Sequence, residues 1–202
     1  MFSIFEEEVI LARPMGPRFK IVRSLGVNVF DHPKALKRGP KSQGKISEYG
    51  KQLREKQKLK AYYGVLEKQF KIYVKDALKS RENPGEKLVQ RLELRLDNMA
   101  YRLGFAATLR QARQMVVHGH ILVNGKKVDR PSYKINIGDT ISLREKSRSN
   151  EMFKSNFEES LLGVSYLEKD KNNFSGSLIK LPLRDEIPIE VIDSYIIEFY
   201  SR

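Results

Sequence analysis

Residues 109–128 read "LRQARQMVVHGHILVNGKKV". The first half predicts a short helix, because apolar side chains recur at steps of three and four and Thr108 with Gln111 has the spacing of a capping box. A glycine between two histidines ends this helix. The second half predicts a β-hairpin, since apolar residues flank Asn124-Gly125, a strong sequence signal for a two-residue turn.

Apolar spacing on either side extends this unit. A second helix is predicted from the turn "NPGE" at residues 83–86 to about Gly104, with apolar positions at Leu88, Leu92, Leu96, Met99 and Leu103. Further short extended segments are expected at residues 133–137 and 141–143. The predicted fold class is therefore α+β: a mainly helical domain plus a small module of two helices packed on a short twisted antiparallel sheet.

The N-terminal part divides into a basic arm and a helix. Residues 12–46 mix proline, glycine and basic side chains with little periodicity, which predicts an extended basic arm that orders against its partner. A helix is predicted from Ser47 to about Lys79, with a kink or break at Gly64.

The C-terminal part is expected to form a helix, a strand–turn–strand and a closing helix. Ile192, Ile196 and Phe199 of the closing helix are predicted to face inward, against the helix that follows Ser47. The predicted domains are an N-terminal extension and basic arm (1–46), a helical domain (47–90, completed by 149–202) and the small module of two helices and a sheet (91–148).

Composition narrows the classes of protein. With 202 residues the chain can bury a core, and with no cysteine it has neither disulfides nor a thiolate zinc site. No apolar run approaches the roughly 20 residues that span a membrane. Residues 1–14 carry three glutamates where a signal peptide is basic, so we expect no export signal.

The net charge of +13 is segregated along the chain. Residues 11–80 hold 18 lysines and arginines against 5 acids, and residues 109–148 hold 9 against 3. From residue 149 onward acids outnumber bases by 10 to 6. Blocks of positive charge favour a polyanionic partner, because each phosphate that is neutralised releases counterions.

Two cationic surfaces follow from helical spacing. On the helix of residues 109–118, Arg110, Gln111, Arg113 and Gln114 occupy the side opposite the apolar face, and arginine suits phosphate because it can grip two oxygens at once. The hairpin adds Lys126 and Lys127, with His118 and His120 before it. The second surface lies on the first turns of the preceding long helix, with Lys51, Arg54, Lys56, Lys58 and Lys60.

No arrangement of side chains indicates catalysis or metal binding. Two histidines around a glycine lack a third ligand, and neither a nucleophile with its base nor a phosphate-binding glycine loop is present. We therefore expect no metal, no cofactor and no enzymatic activity. In the pair Tyr62-Tyr63, Tyr62 fits the apolar face, which leaves Tyr63 as a candidate for base stacking.

The residues of the module resemble a known family. The segment "RLDNMAYRLGFAATLRQARQMVVHGHILVNGKKVDRPSYKINIGDTISLREKS" resembles the RNA-binding module named after bacterial small-subunit ribosomal protein S4. The flanking stretches "GPRFKIVRSLG", "SEYGKQLREKQKLKAYYGVLEKQF" and "EFYS" resemble the same ribosomal protein family, in the same order. The resemblance covers residues 12–202 and implies a sheet module of the alpha-L type.

The resemblance also implies which residues contact RNA. In the module these are Arg95, Asn98, Arg102, Arg110, Gln111, Arg113, His118, His120, Lys126 and Lys127; outside it they are Lys51, Arg54, Lys56, Lys58 and Lys60, with Arg18, Lys20 and Arg23 in the arm. Two departures stand out. The cysteine cluster found in the arm of many members is absent, and the loop near residue 40 differs from the usual Pro-Gly-Gln-His-Gly stretch.

The resemblance implies a structural protein of the cytoplasmic small ribosomal subunit. Such a protein binds small-subunit ribosomal RNA (rRNA) early, nucleates assembly, contacts ribosomal protein S5, influences decoding accuracy and lies near the messenger RNA entrance; no membrane is involved. Two alternatives remain: a free RNA chaperone, and a pseudouridine synthase-like enzyme, because Arg95-Leu96-Asp97 resembles the catalytic motif of those enzymes. A structural ion pair or a helix contact is the preferred interpretation of Asp97, because residues 149–202 are too few for a catalytic domain.

Overall fold

The computed structural model describes residues 16–41 and 44–201, so the expected extension at residues 1–11 lies outside the described residues. Within those ranges the helices are α1 (Arg18–Leu25), α2 (Glu48–Tyr62), α3 (Glu67–Leu78), α4 (Pro84–Glu93), α5 (Leu96–Arg102), α6 (Leu109–Val117), α7 (Glu151–Glu159) and α8 (Asp193–Tyr200). The strands are β1 (Ile121–Val123), β2 (Lys126–Lys127), β3 (Thr140–Leu143), β4 (Leu167–Asp170) and β5 (Ser175–Leu178). The predicted α+β class is confirmed.

The helix and hairpin of residues 109–128 form as predicted. The Thr108 hydroxyl accepts from the backbone N–H of Gln111 at the start of α6. Asn124 and Gly125 have positive φ angles of 50° and 75°, as the tight turn requires, and β1 pairs with β2 on either side of it. This unit therefore forms from local sequence signals.

The sheet is larger than the predicted module. Its order is β2-β1-β3-β5-β4, with every neighbouring pair antiparallel. The C-terminal part supplies β4 and β5, and Ile141 of β3 lies opposite Gly176 of β5. A side chain at Gly176 would collide with Leu103, so the missing Cβ lets this strand lie close to the end of α5. The division of the chain into domains stays a prediction.

Both long predicted helices are interrupted. Gly64, with a φ of 58°, separates α2 from α3, which confirms the expected break. The predicted helix from residue 83 to Gly104 is wrong in one respect, because it divides into α4 and α5. At the break, the Leu96 N–H donates to the Tyr133 carbonyl at 2.9 Å and the Ile135 N–H donates to the Leu94 carbonyl at 2.9 Å. Pairing with the segment of residues 133–135 replaces helical hydrogen bonds here.

The described part of the arm is partly helical, which corrects the prediction of an extended arm. α1 ends at Gly26, which has a left-handed φ of 76°. Val22, Leu25, Val29 and Ala35 form a small buried cluster of their own, with Tyr62 packed against it. The short apolar spacing in this segment therefore buries enough surface to order it.

The closing helix packs where it was expected. α8 lies against α2, where the Gln52 amide donates to the Glu198 carboxylate at 2.9 Å and the Ile192 N–H donates to the Glu55 carboxylate at 3.0 Å. Ile196 is fully buried, whereas Ile192 is 51% exposed and does not face inward as predicted, because it lies before the first turn of α8. In the part of the chain that the structure describes, no helix is both long enough and apolar enough to cross a membrane.

Candidate nucleic-acid interface

A cleft of about 1320 Å³ lies between the arm, the end of α2, the paired helices α5 and α6, and residues 187–190. Four arginines line it: Arg18, Arg102, Arg110 and Arg113. Gln111 and Gln114 of α6, and His118 directly after it, also lie at its walls. The acids among the lining residues are Asp31 and Glu190. The cleft therefore brings together seven of the eighteen residues that the sequence predicted to contact RNA: Arg18, Asn98, Arg102, Arg110, Gln111, Arg113 and His118.

α6 presents its polar side to this cleft. Ala112, Met115 and Val116 are buried against the core, which leaves Arg110 and Gln114 exposed and Arg113 half-buried. The guanidinium of Arg110 lies 5.9 Å from the centre of the Phe30 ring. The Gln111 amide oxygen accepts from the Ala107 N–H at 3.0 Å, so this side chain helps to cap the N-terminal end of the helix.

Arg113 forms no direct ion pair among the described residues, and the acid whose charge reaches it, Asp97, is itself paired with Arg95. Arg113 Nη1 donates to the Gly64 carbonyl at 3.0 Å, at the break between α2 and α3. Burial lowers the pKa of Arg113 from its ordinary value, but an arginine stays charged because that value is so high. A half-buried cation held by a neutral carbonyl is suited to an incoming phosphate.

Arg102 is positioned by a buried acid. Glu93 is fully buried and accepts from Arg102 Nε at 2.7 Å and from the hydroxyls of Tyr166, at 2.6 Å, and Tyr63. Burial alone would raise the pKa of Glu93, but the charge and hydrogen bonds of Arg102, with those of the two tyrosines, lower it. The carboxylate therefore stays ionised and fixes the guanidinium at the cleft wall.

Two predicted contact residues of the module are buried. Arg95 is 1% exposed and forms a two-pronged ion pair with Asp97 at 3.0 and 2.7 Å, with a further hydrogen bond to the Tyr73 hydroxyl. Asn98 borders the cleft but is only 3% exposed, and its amide donates to the Glu93 carbonyl. We therefore leave both out of the proposed contact set. The preferred interpretation of Asp97 as an ion-pair partner is confirmed.

The lysines of α2 are neutralised within the chain. Lys51 pairs with Glu48, Lys58 with Glu55 at 2.6 Å, and Lys56 and Lys60 with Glu67 at 3.2 and 2.8 Å. Lys56 is itself 6% exposed, under the ring of Phe199. These lysines therefore form a less cationic surface than their spacing in the sequence suggests, because neighbouring glutamates supply the counter-charge. Among the described residues only Arg54 of this group has no acidic partner.

A cationic face that the sequence analysis missed lies on α3 and its end. Lys68, Lys71, Lys75 and Lys79 are exposed, and none forms an ion pair within residues 16–41 and 44–201. We call these four residues the α3 lysine face. Their spacing of three, four and four residues follows one side of a helix, and this signal was available in the sequence.

The predicted contact residues of the hairpin and the two histidines before it are mostly exposed. Lys126 and Lys127 are exposed on the hairpin, and the Lys127 side chain crosses Gly119, where an added Cβ would lie 2.3 Å from Lys127 Cε. His118 is exposed, while His120 shares a hydrogen bond of 2.9 Å with the Ser147 hydroxyl. Burial lowers the pKa of His120, and the neighbouring His118 adds to this.

In the arm, Lys20 is exposed, and Arg23 Nε donates to the Gly39 carbonyl at 3.2 Å. The expected roles of Tyr62 and Tyr63 are reversed: Tyr63 is 2% exposed, whereas Tyr62 is half-buried at the cleft wall. The break at Gly64 ends the helical phase on which the prediction relied. Among residues 16–41 and 44–201 no group of three or more His, Asp or Glu side chains could hold a metal ion.

Comparisons with known proteins agree with this geometry. Residues 94–141 match the S4 domain, and residues 13–93 match the family described as "Ribosomal protein S4/S9 N-terminal domain". The chain is 64% identical over 192 residues to "Small ribosomal subunit protein uS4B" of Clostridium acetobutylicum, with 95% of this chain and 100% of the relative covered. It is 54% identical over 199 residues to "Small ribosomal subunit protein uS4" of Finegoldia magna, with the same coverage.

The fold and the cationic cleft define a protein with an S4-type RNA-binding domain. Matches before and within that domain, and relatives aligned over their full length, define the family more closely. The chain belongs to the ribosomal protein S4 family of the small ribosomal subunit.

Proposed function

We propose that the chain binds small-subunit rRNA through the cleft between its arm and its S4 domain. As a member of its family it is a structural constituent of the small ribosomal subunit in the cytoplasm, not an enzyme. The observation that carries the proposed site is Arg113, a half-buried cation at the cleft wall with no carboxylate partner in the described part of the chain.

The cleft would recognise the shape of a folded RNA. Arg102 and Arg113 are held by contacts from Glu93 and Gly64, so their donors have fixed spacing before RNA arrives. Only an RNA that presents its phosphates at that spacing satisfies both, and side chains that need not be ordered on binding lose less entropy. The exposed side chains of Arg18, Lys126 and Lys127 add positive charge, and His118 adds a polar ring at the cleft wall.

The α3 lysine face supplies a second proposed contact with rRNA. Its cations lack partners within the described ranges, whereas those of α2 are paired, so the second cationic surface moves from α2 to α3. Two surfaces on one rigid scaffold can hold two RNA segments together, and this would support a role in nucleating subunit assembly.

Contacts with ribosomal protein S5 and with messenger RNA near its entrance, and an influence on decoding accuracy, are further proposals. All three rest on the family resemblance. The contact with a neighbouring protein is also supported by the excess of acidic residues from residue 149 onward, which would complement a basic protein surface. The alternatives are not favoured: the enzyme because Asp97 is buried in its ion pair with Arg95, and the free chaperone because the relatives are named as subunit proteins.

The proposed site is tested by the salt dependence of binding to transcribed small-subunit rRNA. Arg113→Gln and Arg18→Gln should each weaken binding and reduce the slope of log affinity against log salt by about one contact. Arg91→Gln is the matched control, because Arg91 pairs with Asp76 at 2.8 Å and does not line the cleft. Equal slopes in all three variants would show that the cleft holds no phosphate.

A further inference from the structure

The cleft walls are more apolar than phosphate recognition alone requires. Aliphatic side chains from the arm, α6 and the segment before α8 line it, among them Ile21, Val27, Leu109, Val117 and Ile189. Four aromatic residues also border it: Phe30, Tyr62 and Tyr101, with the almost fully buried Tyr63 behind them. A sugar–phosphate strand would leave these surfaces wet, whereas a base has a flat face that can cover them.

Two of the aromatic rings are paired with arginines of the same cleft. The guanidinium of Arg102 lies 5.9 Å from the centre of the Tyr101 ring, and that of Arg110 lies 5.9 Å from the centre of the Phe30 ring. A cation beside an aromatic platform combines stacking with charge, and single-stranded nucleic acids are commonly bound in this way.

The Tyr101 side chain is half-buried, within electrostatic range of Asp31 and Arg102. Within residues 16–41 and 44–201 no group forms a hydrogen bond with the Tyr101 hydroxyl, although it lines the cleft. The ring packs against the main hydrophobic core, and its neighbour Arg102 is fixed by Glu93, so both side chains are held in place. The ring is therefore a preformed surface rather than a flexible side chain at the protein surface.

We propose that the cleft takes one unstacked nucleotide of the bound RNA, with its base against Tyr101 or Phe30 and its phosphate at the arginines. The volume of about 1320 Å³ exceeds the roughly 300–1,000 Å³ of ordinary small-molecule sites, so a whole nucleotide has room. Charge complementarity favours this occupant over an apolar peptide, since four arginines face two acids. This inference rests on the proposed function of the cleft.

The first test separates stacking from charge. Tyr101→Leu keeps an apolar side chain but removes the ring, so it should weaken rRNA binding by roughly 5- to 100-fold while the slope against salt stays unchanged. Tyr101→Phe keeps the ring and should bind like the natural chain. Tyr133→Leu is the control, because Tyr133 is 38% exposed on the same module and does not line the cleft.

The outcomes distinguish the inference from the proposed function beneath it. If Arg113→Gln weakens binding but Tyr101→Leu and Phe30→Leu both leave it unchanged, the cleft holds phosphate without a base and the inference is overturned. If Arg113→Gln also has no effect, the proposed site itself is wrong. Thermal unfolding of each variant must show a folded chain before its binding is compared.

A second test reads stacking directly. The chain has no tryptophan, so Tyr101→Trp introduces a single fluorescent reporter at the cleft wall. Stacking of a base on the indole should quench its fluorescence when transcribed rRNA is added, while Tyr133→Trp should change little. Retained binding without quenching at Tyr101→Trp, or quenching by an apolar peptide but not by RNA, overturns the inference.

Discussion

At the scale of single residues, burial separates cations that hold the fold from those free to meet RNA. Arg95 and Lys56 are almost fully buried, and each contacts a carboxylate of the same chain. Arg102 is intermediate, since it forms an ion pair with Glu93 and also lines the cleft. The acids that pair with Arg95, Arg102 and Lys56 lie only two, nine and eleven residues away in the sequence. The sequence does not show which of several nearby acids each cation contacts, or how deeply the pair is buried, because both depend on the folded molecule.

Glu67 provides a test of these internal pairs. Burial would raise the pKa of Glu67, but hydrogen bonds from Lys60 and Tyr200 and the charge of Lys56 lower it to about 2. A folded-state pKa below the unfolded value of 4.5 adds stability that is present above pH 4.5 and lost as pH falls toward 2. Glu67→Gln should remove this contribution.

The expected difference between natural chain and Glu67→Gln in free energy of unfolding is on the order of 1 kcal/mol at neutral pH. It is below the full linkage value because the side chain is 35% exposed and solvent screens it. Chemical denaturation from pH 7 to pH 2 should show the difference shrinking. Glu158→Gln, which removes a long surface ion pair of 4.0 Å, is the control and should differ little at any pH. A gap that persists at pH 2 would contradict the assignment.

At the scale of elements, the sequence predicted those features that depend on residues close together in the chain. The capping of α6, the Asn124-Gly125 turn and the break at Gly64 each depend on a few neighbouring residues. The break between α4 and α5 and the pairing of β5 with β3 were not predicted, because both depend on segments far apart in the chain. α1 was not predicted because the apolar pattern there is brief: only four residues, two of them in α1, form the buried cluster of the arm.

The two lysine-rich helices should differ in their contribution to RNA binding. Lys71→Gln with Lys75→Gln removes two unpaired charges from the α3 lysine face, and the slope against salt should fall by roughly 0.7–0.9 for each lysine that contacts a phosphate. Lys51→Gln with Lys58→Gln removes the same net charge from α2, where both lysines already pair with glutamates. Binding to transcribed rRNA across a salt series measures both. A larger fall for the α2 pair would return the second surface to α2.

At the scale of the whole molecule, the central feature is a cleft that no single segment forms. Its walls come from residues as distant as Arg18, Arg113 and Glu190. The sequence predicted most of its cations, because their spacing and the family resemblance point to them. It did not predict Phe30 or Tyr101 as lining residues, because an isolated aromatic residue in a sequence does not reveal which side of a fold it lines.

The most direct measurement uses the absence of cysteine, which allows a single cleavage reagent to be attached without background. Gln114→Cys places an iron chelate at the cleft wall, and Leu161→Cys, at a position 90% exposed and outside the cleft, is the matched control. Hydroxyl radicals from position 114 should cleave a compact set of nucleotides in bound small-subunit rRNA, while those from position 161 should cleave few or none of the same nucleotides. Strong cleavage from position 161 with none from position 114 would contradict the account.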